Sequence, residues 1–345
     1  MTVILLLLGL FCCSNLAFAK EGEFFANYLE KAKTNSIKGI FVALVFIAHY
    51  LSYIKEPSVA DSFAVWQHSA LSQLIVTMFL FYSGYGIFEA IKRKGNVYTK
   101  AIPQKAAKLL FHFDIAVVLF LCLAVFMKSN ITVKKFLLSL ICWESIGNSN
   151  WYVLAIIATY LFSFVAFSVC KKRYTIGAIV VTLLSIVYIL VLRNWRPGYW
   201  YNTILCYSLG VWYSLYRDKI ERIIMKNDLS YFFVLLVVIF YGVFYSKHGV
   251  NVWYYSGWSI LFTMMIVLVS LKLQFDNNFL QFLGNHVFSI YILQQLPMNL
   301  LSHYGKIATH PYLCFVIAFI CTIFIALVFD KYTAKIDQKI FRKIN

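Results

Sequence analysis

The chain has 345 residues, of which 61 % are hydrophobic and only 13 % charged, and it carries a formal charge of +17. That composition excludes a water-soluble globular domain and fits a polytopic membrane protein. The basic residues lie in short segments between apolar runs, so they act as topology signals and do not describe a nucleic-acid surface.

The first apolar run, Met1–Ala19, ends Ala17-Phe18-Ala19-Lys20. It is similar to a signal peptide at its cleavage end, but no Lys or Arg precedes it. Ten further runs are each long enough to cross a bilayer with modest tilt. They are Ile37–Ile54, Ala70–Ile91, Ala107–Met127, Asn150–Cys170, Thr175–Leu192, Tyr199–Tyr216, Leu229–Ser246, Tyr254–Leu271, Phe282–Leu301 and Tyr312–Phe329. The expected fold class is therefore an all-α integral membrane protein, a ten-helix transmembrane bundle plus an N-terminal apolar helix. Residues 1–34 hold that first helix and a linker, and 35–345 the ten-helix domain. Most of the eight cysteines lie inside apolar runs and none forms C-x-x-C, so they read as small buried residues.

The positive-inside rule sets the orientation. With the N-terminal side of the Lys38 helix in the cytoplasm, the inner segments collect Lys31, Lys33, Lys92, Arg93, Lys94, Lys100, Lys105, Lys108, Lys171, Lys172, Arg173, Arg217 and Lys331 to Lys343. Both ends of the core then face the cytoplasm. Cleavage after Ala19 would invert every loop. An uncleaved helix with its N-terminus outside, or a start codon placed too early, agrees better with the charges.

The stretch Ser36 to Tyr50 has one cation at its start and one imidazole far inside. On a helix, Lys38 and His49 share a face and stand about 17 Å apart. An ionisable group at that depth is costly and marks a candidate functional site. The plain alternative is a neutral His bonded between helices. Lys105 and Lys108, at i, i+3 spacing, would share one face if they open a helix, and could meet a phosphorylated ligand. Ordinary inner-face charge is the alternative there. His112 and Asp114 point apart on a helix, so each is expected to pair with a neighbouring helix. Ser83, Gly84 and Gly86 would allow close backbone approach, which favours a packing role.

On the outer side, Trp143 to Tyr152 is polar and flanked by Trp. Glu144, Asn148, Asn150 and Trp151 offer the carboxylate, amides and aromatic faces of a carbohydrate site, or else an interfacial Trp belt with a capped helix start. Gln294 and Gln295 lie in the outer half of the ninth core run, and bond another helix or line a polar cavity. No Walker loop, dinucleotide fingerprint or clustered set of metal ligands is present.

Together these stretches resemble the membrane-bound acyltransferase family three, multi-pass O-acyltransferases of cell-surface glycans. The resemblance rests on Lys38-Gly39-Ile40 through His49, Phe81-Tyr82-Ser83-Gly84-Tyr85, Lys105-Ala106-Ala107-Lys108, Trp151-Tyr152 and Leu283 to Pro297, in that order. Lysine replaces the family's arginine at 38, 105 and 108, which keeps charge but loses the bidentate fork. Gln294 stands where many members have His. The resemblance implies acyl transfer in the cell membrane, with no bound cofactor or metal and with acyl-CoA, most simply acetyl-CoA, as co-substrate from the cytoplasm. His49 would be the base or relay, with Lys38 as its catalytic partner. Lys105, Lys108, Ser83, Gly84 and Tyr85 would bind the donor. Glu144, Asn148, Asn150, Trp151 and Gln294 would bind a glycan or lipid-linked sugar, as of a capsule or exopolysaccharide. The partners implied are thus the lipid bilayer, acyl-CoA and the sugar acceptor, without nucleic acid; oligomerisation stays open. Two competing classes are a non-enzymatic transporter or flippase of a glycan intermediate, and a glycan polymerase. The second fits less well, because no large outer loop is present.

Overall fold

The computed structural model describes residues 1–247 and 251–341. Arg342 and Lys343, counted above among the inner cations, lie outside the described residues. Apart from one two-stranded ladder, the regular structure is helical. In chain order it runs α1 (Thr2–Cys13), β1 (Leu16–Phe18), α2 (Lys31–Leu51), α3 (Ser62–Leu71), α4 (Thr77–Lys94), α5 (Asn96–Phe126), α6 (Val133–Leu140), α7 (Trp151–Cys170) and α8 (Tyr174–Leu192). There follow α9 (Leu205–Ile224), α10 (Asp228–Lys247), α11 (Val252–Lys272), β2 (Leu273–Phe275), α12 (Asn278–Asn285), α13 (Val287–Leu293), α14 (Gln295–His303), α15 (Lys306–Thr309) and α16 (Pro311–Ile340).

Among the described residues, eight helices are long and apolar enough to cross a membrane: α2, the stretch Val59–Lys94 that ends in α4, α5, α7, α8, α10, α11 and α16. This is an all-α membrane protein. Two of the ten expected runs take another form. The run Tyr199–Tyr216 begins in irregular turns and becomes α9, which loses helical geometry at Tyr216. The run Phe282–Leu301 is broken into α12, α13 and α14 at His286 and Gln294. Pro297 has no backbone N–H to give and cannot continue a helix from Leu293 without losing a bond. Conversely, α5 is longer than expected. It accommodates Pro103 in its interior, so Lys105 and Lys108 lie within a helix and do not open one.

Burial places α2 at the centre. Of its apolar window 78 % is buried, against 11 % for the peripheral α10. Glycines set the closest contacts of this core. A Cβ on Gly39 would lie 2.0 Å from the Leu280 carbonyl oxygen, and one on Gly284 1.9 Å from that of Asn35. The backbones of α2 and α12 therefore touch directly. Gly84 on α4 and Gly210 on α9 make the same kind of contact, with carbonyls of Tyr207 and Phe81. Small residues permit this approach where lipid provides no hydrophobic drive between helices.

Lys108, Lys105, Lys92 and Lys272 mark one face of the bundle, called here the basic face. The segment before α2 runs between the two faces. The Met1 amine, Ser58 and Tyr312 converge on the buried Asp61 at the opposite face. α1 spans 12 residues, about 18 Å, too short for a full crossing. The chain then extends into β1, which pairs antiparallel with β2 beside Lys272. The Tyr28 hydroxyl is 2.6 Å from that of Tyr213 and donates to Glu221 at 2.7 Å, which fixes the linker against α9. Burial, then the neighbouring Tyr213 and Glu221 oxygens, push the Tyr28 phenol well above its usual range.

Candidate active site

His49 occupies the last turn of α2, facing inward. Its ring centroid is 6.1 Å from that of Tyr291 on α13. Its Nδ1 is 3.2 Å from the Ser149 Oγ, and Ser149 in turn donates to the Gln295 Oε1 at 3.2 Å. A carbonyl oxygen can only accept, so the Ser149 proton is committed to Gln295. The Ser149 oxygen then accepts from His49 Nδ1–H. That tautomer leaves the lone pair on Nε2, the nitrogen free to act as a base.

Ser149 is held by the turn that precedes α7. The Ser145 hydroxyl donates to the Asn148 carbonyl at 2.6 Å and accepts from the Asn148 backbone N–H at 3.1 Å. Asn148 Oδ1 accepts from the Ile146 N–H at 3.0 Å, and Asn150 Nδ2 donates to the Cys142 carbonyl at 3.0 Å. Gly147 sits at φ +105, a conformation that favours glycine, and its carbonyl accepts from Asn299 on α14 at 2.9 Å. Asn148 and Asn150 are thus buried and fold the loop. Asn148 keeps one amide nitrogen, Nδ2, without a partner. Glu144 is turned away to Arg196 at 3.3 Å, whose guanidinium lies over Trp143 at 4.1 Å and Trp200 at 4.6 Å. Trp151 packs edge-on against Tyr199 at 6.0 Å.

Towards the basic face from His49 lies a cavity of about 150 Å³. Ser83, Tyr152, Tyr160, Tyr291 and Leu109 are on its wall. The Tyr291 hydroxyl is buried without a partner, as are Gln294 Oε1 and the hydroxyl of Tyr82. Buried polar atoms without partners are uncommon and mark places where a ligand can bond. Lys38 is not among the lining residues; it donates to Asn35 Oδ1 at 3.3 Å and stands 5.6 Å from the centre of the Tyr82 ring. Towards the opposite face is a shallow groove of about 370 Å³. Tyr53, Asn299, Asn130, Ser129, Lys135 and His303 give it a polar lining. Tyr53 stands one helical turn beyond His49 and donates to Asn299 Oδ1 at 2.6 Å. His49 itself lines neither, but its ring neighbours Tyr291 on the cavity wall and it precedes Tyr53 of the groove by four residues.

The residues expected to hold the donor are dispersed. Ser83 faces the cavity. Gly84 is filled by the Tyr207 carbonyl and presents no free surface. Tyr85 accepts from Arg217 at 3.0 Å. Lys108 is ion-paired with Asp337 on α16 at 2.6 Å, and His112 bonds the same carboxylate at 2.9 Å. Lys105 donates to the Tyr98 hydroxyl at 2.8 Å. Each of the two lysines is thus bonded to a different neighbour. Asp114, expected to pair across helices, has one buried carboxylate oxygen without a partner. His286 pairs with Asp330, which Ser289 also bonds.

Of the His49 relay, Gln295 is one of the two amides expected to bond another helix or line a polar cavity, and it does bond Ser149. Ser149 is not legible from the sequence, although its neighbours Asn148 and Asn150 are. The choice between adjacent positions turns on the helix break before Gln295, for which Pro297 was the available signal. Gln294 itself is fully buried and donates to the Tyr291 carbonyl at 3.1 Å. Among the described residues, no group of three or more His, Cys, Asp or Glu side chains could hold a metal ion.

One protein-family profile, described as an acyltransferase domain, matches residues 33–331. No curated protein and no solved structure matches the chain.

Proposed function

The chain belongs to acyltransferase family 3, and from that premise we propose that it moves an acetyl group from cytoplasmic acetyl-CoA to a hydroxyl of a cell-surface or lipid-linked polysaccharide, as of a capsule or exopolysaccharide. The observation that supports this reading is His49, held at Nδ1 by Ser149 and beside Tyr291 of the cavity wall. The acetyl thioester enters the cavity from the basic, cytoplasmic side, and the sugar hydroxyl arrives through the groove. His49 Nε2 accepts the hydroxyl proton as the sugar oxygen bonds to the thioester carbonyl carbon. The C–S bond then breaks, and the departing thiolate takes that proton, giving the ester and the free thiol of CoA. The Tyr291 hydroxyl, on the cavity wall, is a donor for the carbonyl oxygen as it gains charge. Lys38 keeps the inner end of the path positive. Asn299, Asn130 and Ser129 supply the hydrogen bonds that a sugar needs.

The test is acetyl transfer by purified protein in lipid vesicles supplied with labelled acetyl-CoA and glycan acceptors. His49→Ala at equal folded yield is expected to lower transfer by about 10²- to 10⁴-fold, the usual contribution of a general base. Unchanged transfer would remove His49 from the chemistry.

A further inference from the structure

Lys105 bonds Tyr98 and Lys108 pairs with Asp337, so neither is a cation without a partner. A second cavity, of about 780 Å³, opens at the basic face between the α4–α5 turn and the α7–α8 turn. Its volume is that of a ligand cleft, for which about 300–1,000 Å³ is usual. Lys171, Lys172 and Arg173 line it in succession, with Asn96 and Thr99 facing them, and no carboxylate is among its lining residues. All three cations are exposed, and none makes an ion pair among the described residues. Three free cations in a concave site are suited to a multiply charged phosphate.

We infer that this cavity receives the phosphate-bearing nucleotide end of the acyl-CoA donor, an inference that rests on the acyl-transfer reading above. The spacing supports it on three separate helices. Thr99 of this cavity and Leu109 of the cavity below His49 are ten residues apart on α5, about 15 Å. Cys170 and Tyr160 are ten residues apart on α7, again about 15 Å, and Ile91 and Ser83 are eight apart on α4, about 12 Å. The arm joining the pyrophosphate of CoA to its sulfur has about a dozen bonds. That equals four residues of extended chain, or about 14 Å. A head among Lys171, Lys172 and Arg173 therefore delivers the thioester to the Ser83–Tyr291 cavity. Tyr98, next to Thr99 and bonded by Lys105, is also near Tyr160 of the lower cavity.

A phosphate head can also belong to an anionic phospholipid, and the apolar wall at Val169 and Ile176 is open to the bilayer. The test separates the two sources. The full chain is placed in nanodiscs of zwitterionic lipid, and binding of acetyl-CoA and of its analogue lacking the 3′-phosphate is measured. The double variant Lys172→Gln/Arg173→Gln is expected to weaken acetyl-CoA binding tenfold or more and to lose discrimination between the two nucleotides. Lys171→Gly removes a charge at φ +48, where glycine is favoured, so it reports charge loss without added backbone strain. It should weaken acetyl-CoA binding by a smaller factor. If acetyl-CoA binds all variants equally while native mass spectra lose a retained phosphatidylglycerol, the cavity is a lipid site and the inference falls, with acyl transfer intact. If wild type neither binds acetyl-CoA nor transfers from it, the functional reading itself falls.

Discussion

Ser149→Ala isolates the orienting of His49 from its chemistry. The substitution removes one hydroxyl, the acceptor for His49 Nδ1–H at 3.2 Å and the donor to Gln295. Ser149 is 7 % exposed, so water does not readily take its place. A neutral hydrogen bond contributes about 1 kcal/mol net, and a buried donor left without a partner costs up to about 3 kcal/mol. The ring then has no fixed tautomer and turns away from the acceptor oxygen. At about 1.4 kcal/mol per factor of ten, this range corresponds to a fall in kcat of about fivefold to 150-fold. KM for acetyl-CoA should move little, because Ser149 is not among the residues that line the donor cavity. The assay is initial-rate acetyl transfer in vesicles at saturating acceptor, with folded yield checked by size exclusion. A wild-type kcat for Ser149→Ala would refute the relay. A kcat as low as that of His49→Ala would also count against it, since the hydroxyl would then be more than a positioning group.

Gln295 offers a second view of the same relay. Gln295→Glu keeps an acceptor and places its charge at the first residue of α14, where the helix dipole favours an anion; transfer should stay within a few-fold of wild type, whereas Gln295→Leu should lose about tenfold in the same assay. Gly39→Ala and Gly284→Ala drive a methyl into a facing carbonyl and should each destabilise the bundle by about 1–3 kcal/mol, read as a lower unfolding temperature in detergent. Lys108→Gln breaks the pair with Asp337 at a site 42 % exposed on the lysine side, so about 1 kcal/mol of stability should go, with little change in KM for acetyl-CoA. A large KM increase without loss of stability would instead return Lys108 to the donor site.

Hydropathy made the helices legible because an apolar run of the right length has few other fates in a membrane protein. It could not reveal the break at Gln294, where the same apolar run is served by three short helices. The inward direction of His49 was readable from its depth and from its face shared with Lys38. Its partners were not, because Ser149 comes from a turn 100 residues away whose shape depends on Gly147 and on Asn299. Lys105 and Lys108 illustrate the opposite case. Their i, i+3 spacing suggested one anion site, but Tyr98 and Asp337 draw them to different neighbours. Spacing locates side chains on a helix; it does not say which neighbour takes them.

The pairing of β1 with β2 also orders events during synthesis. Leu16, Ala17 and Phe18 find their partners Phe275, Gln274 and Leu273 only once translation has passed Phe275. Until then the N-terminal strand carries an open edge, the kind of surface that pairs with wrong chains. A strand that precedes most of the spans is thus locked only after they have been made. A chain arrested before β2 should remain dependent on chaperones or membrane insertases, even with most of its spans already in place.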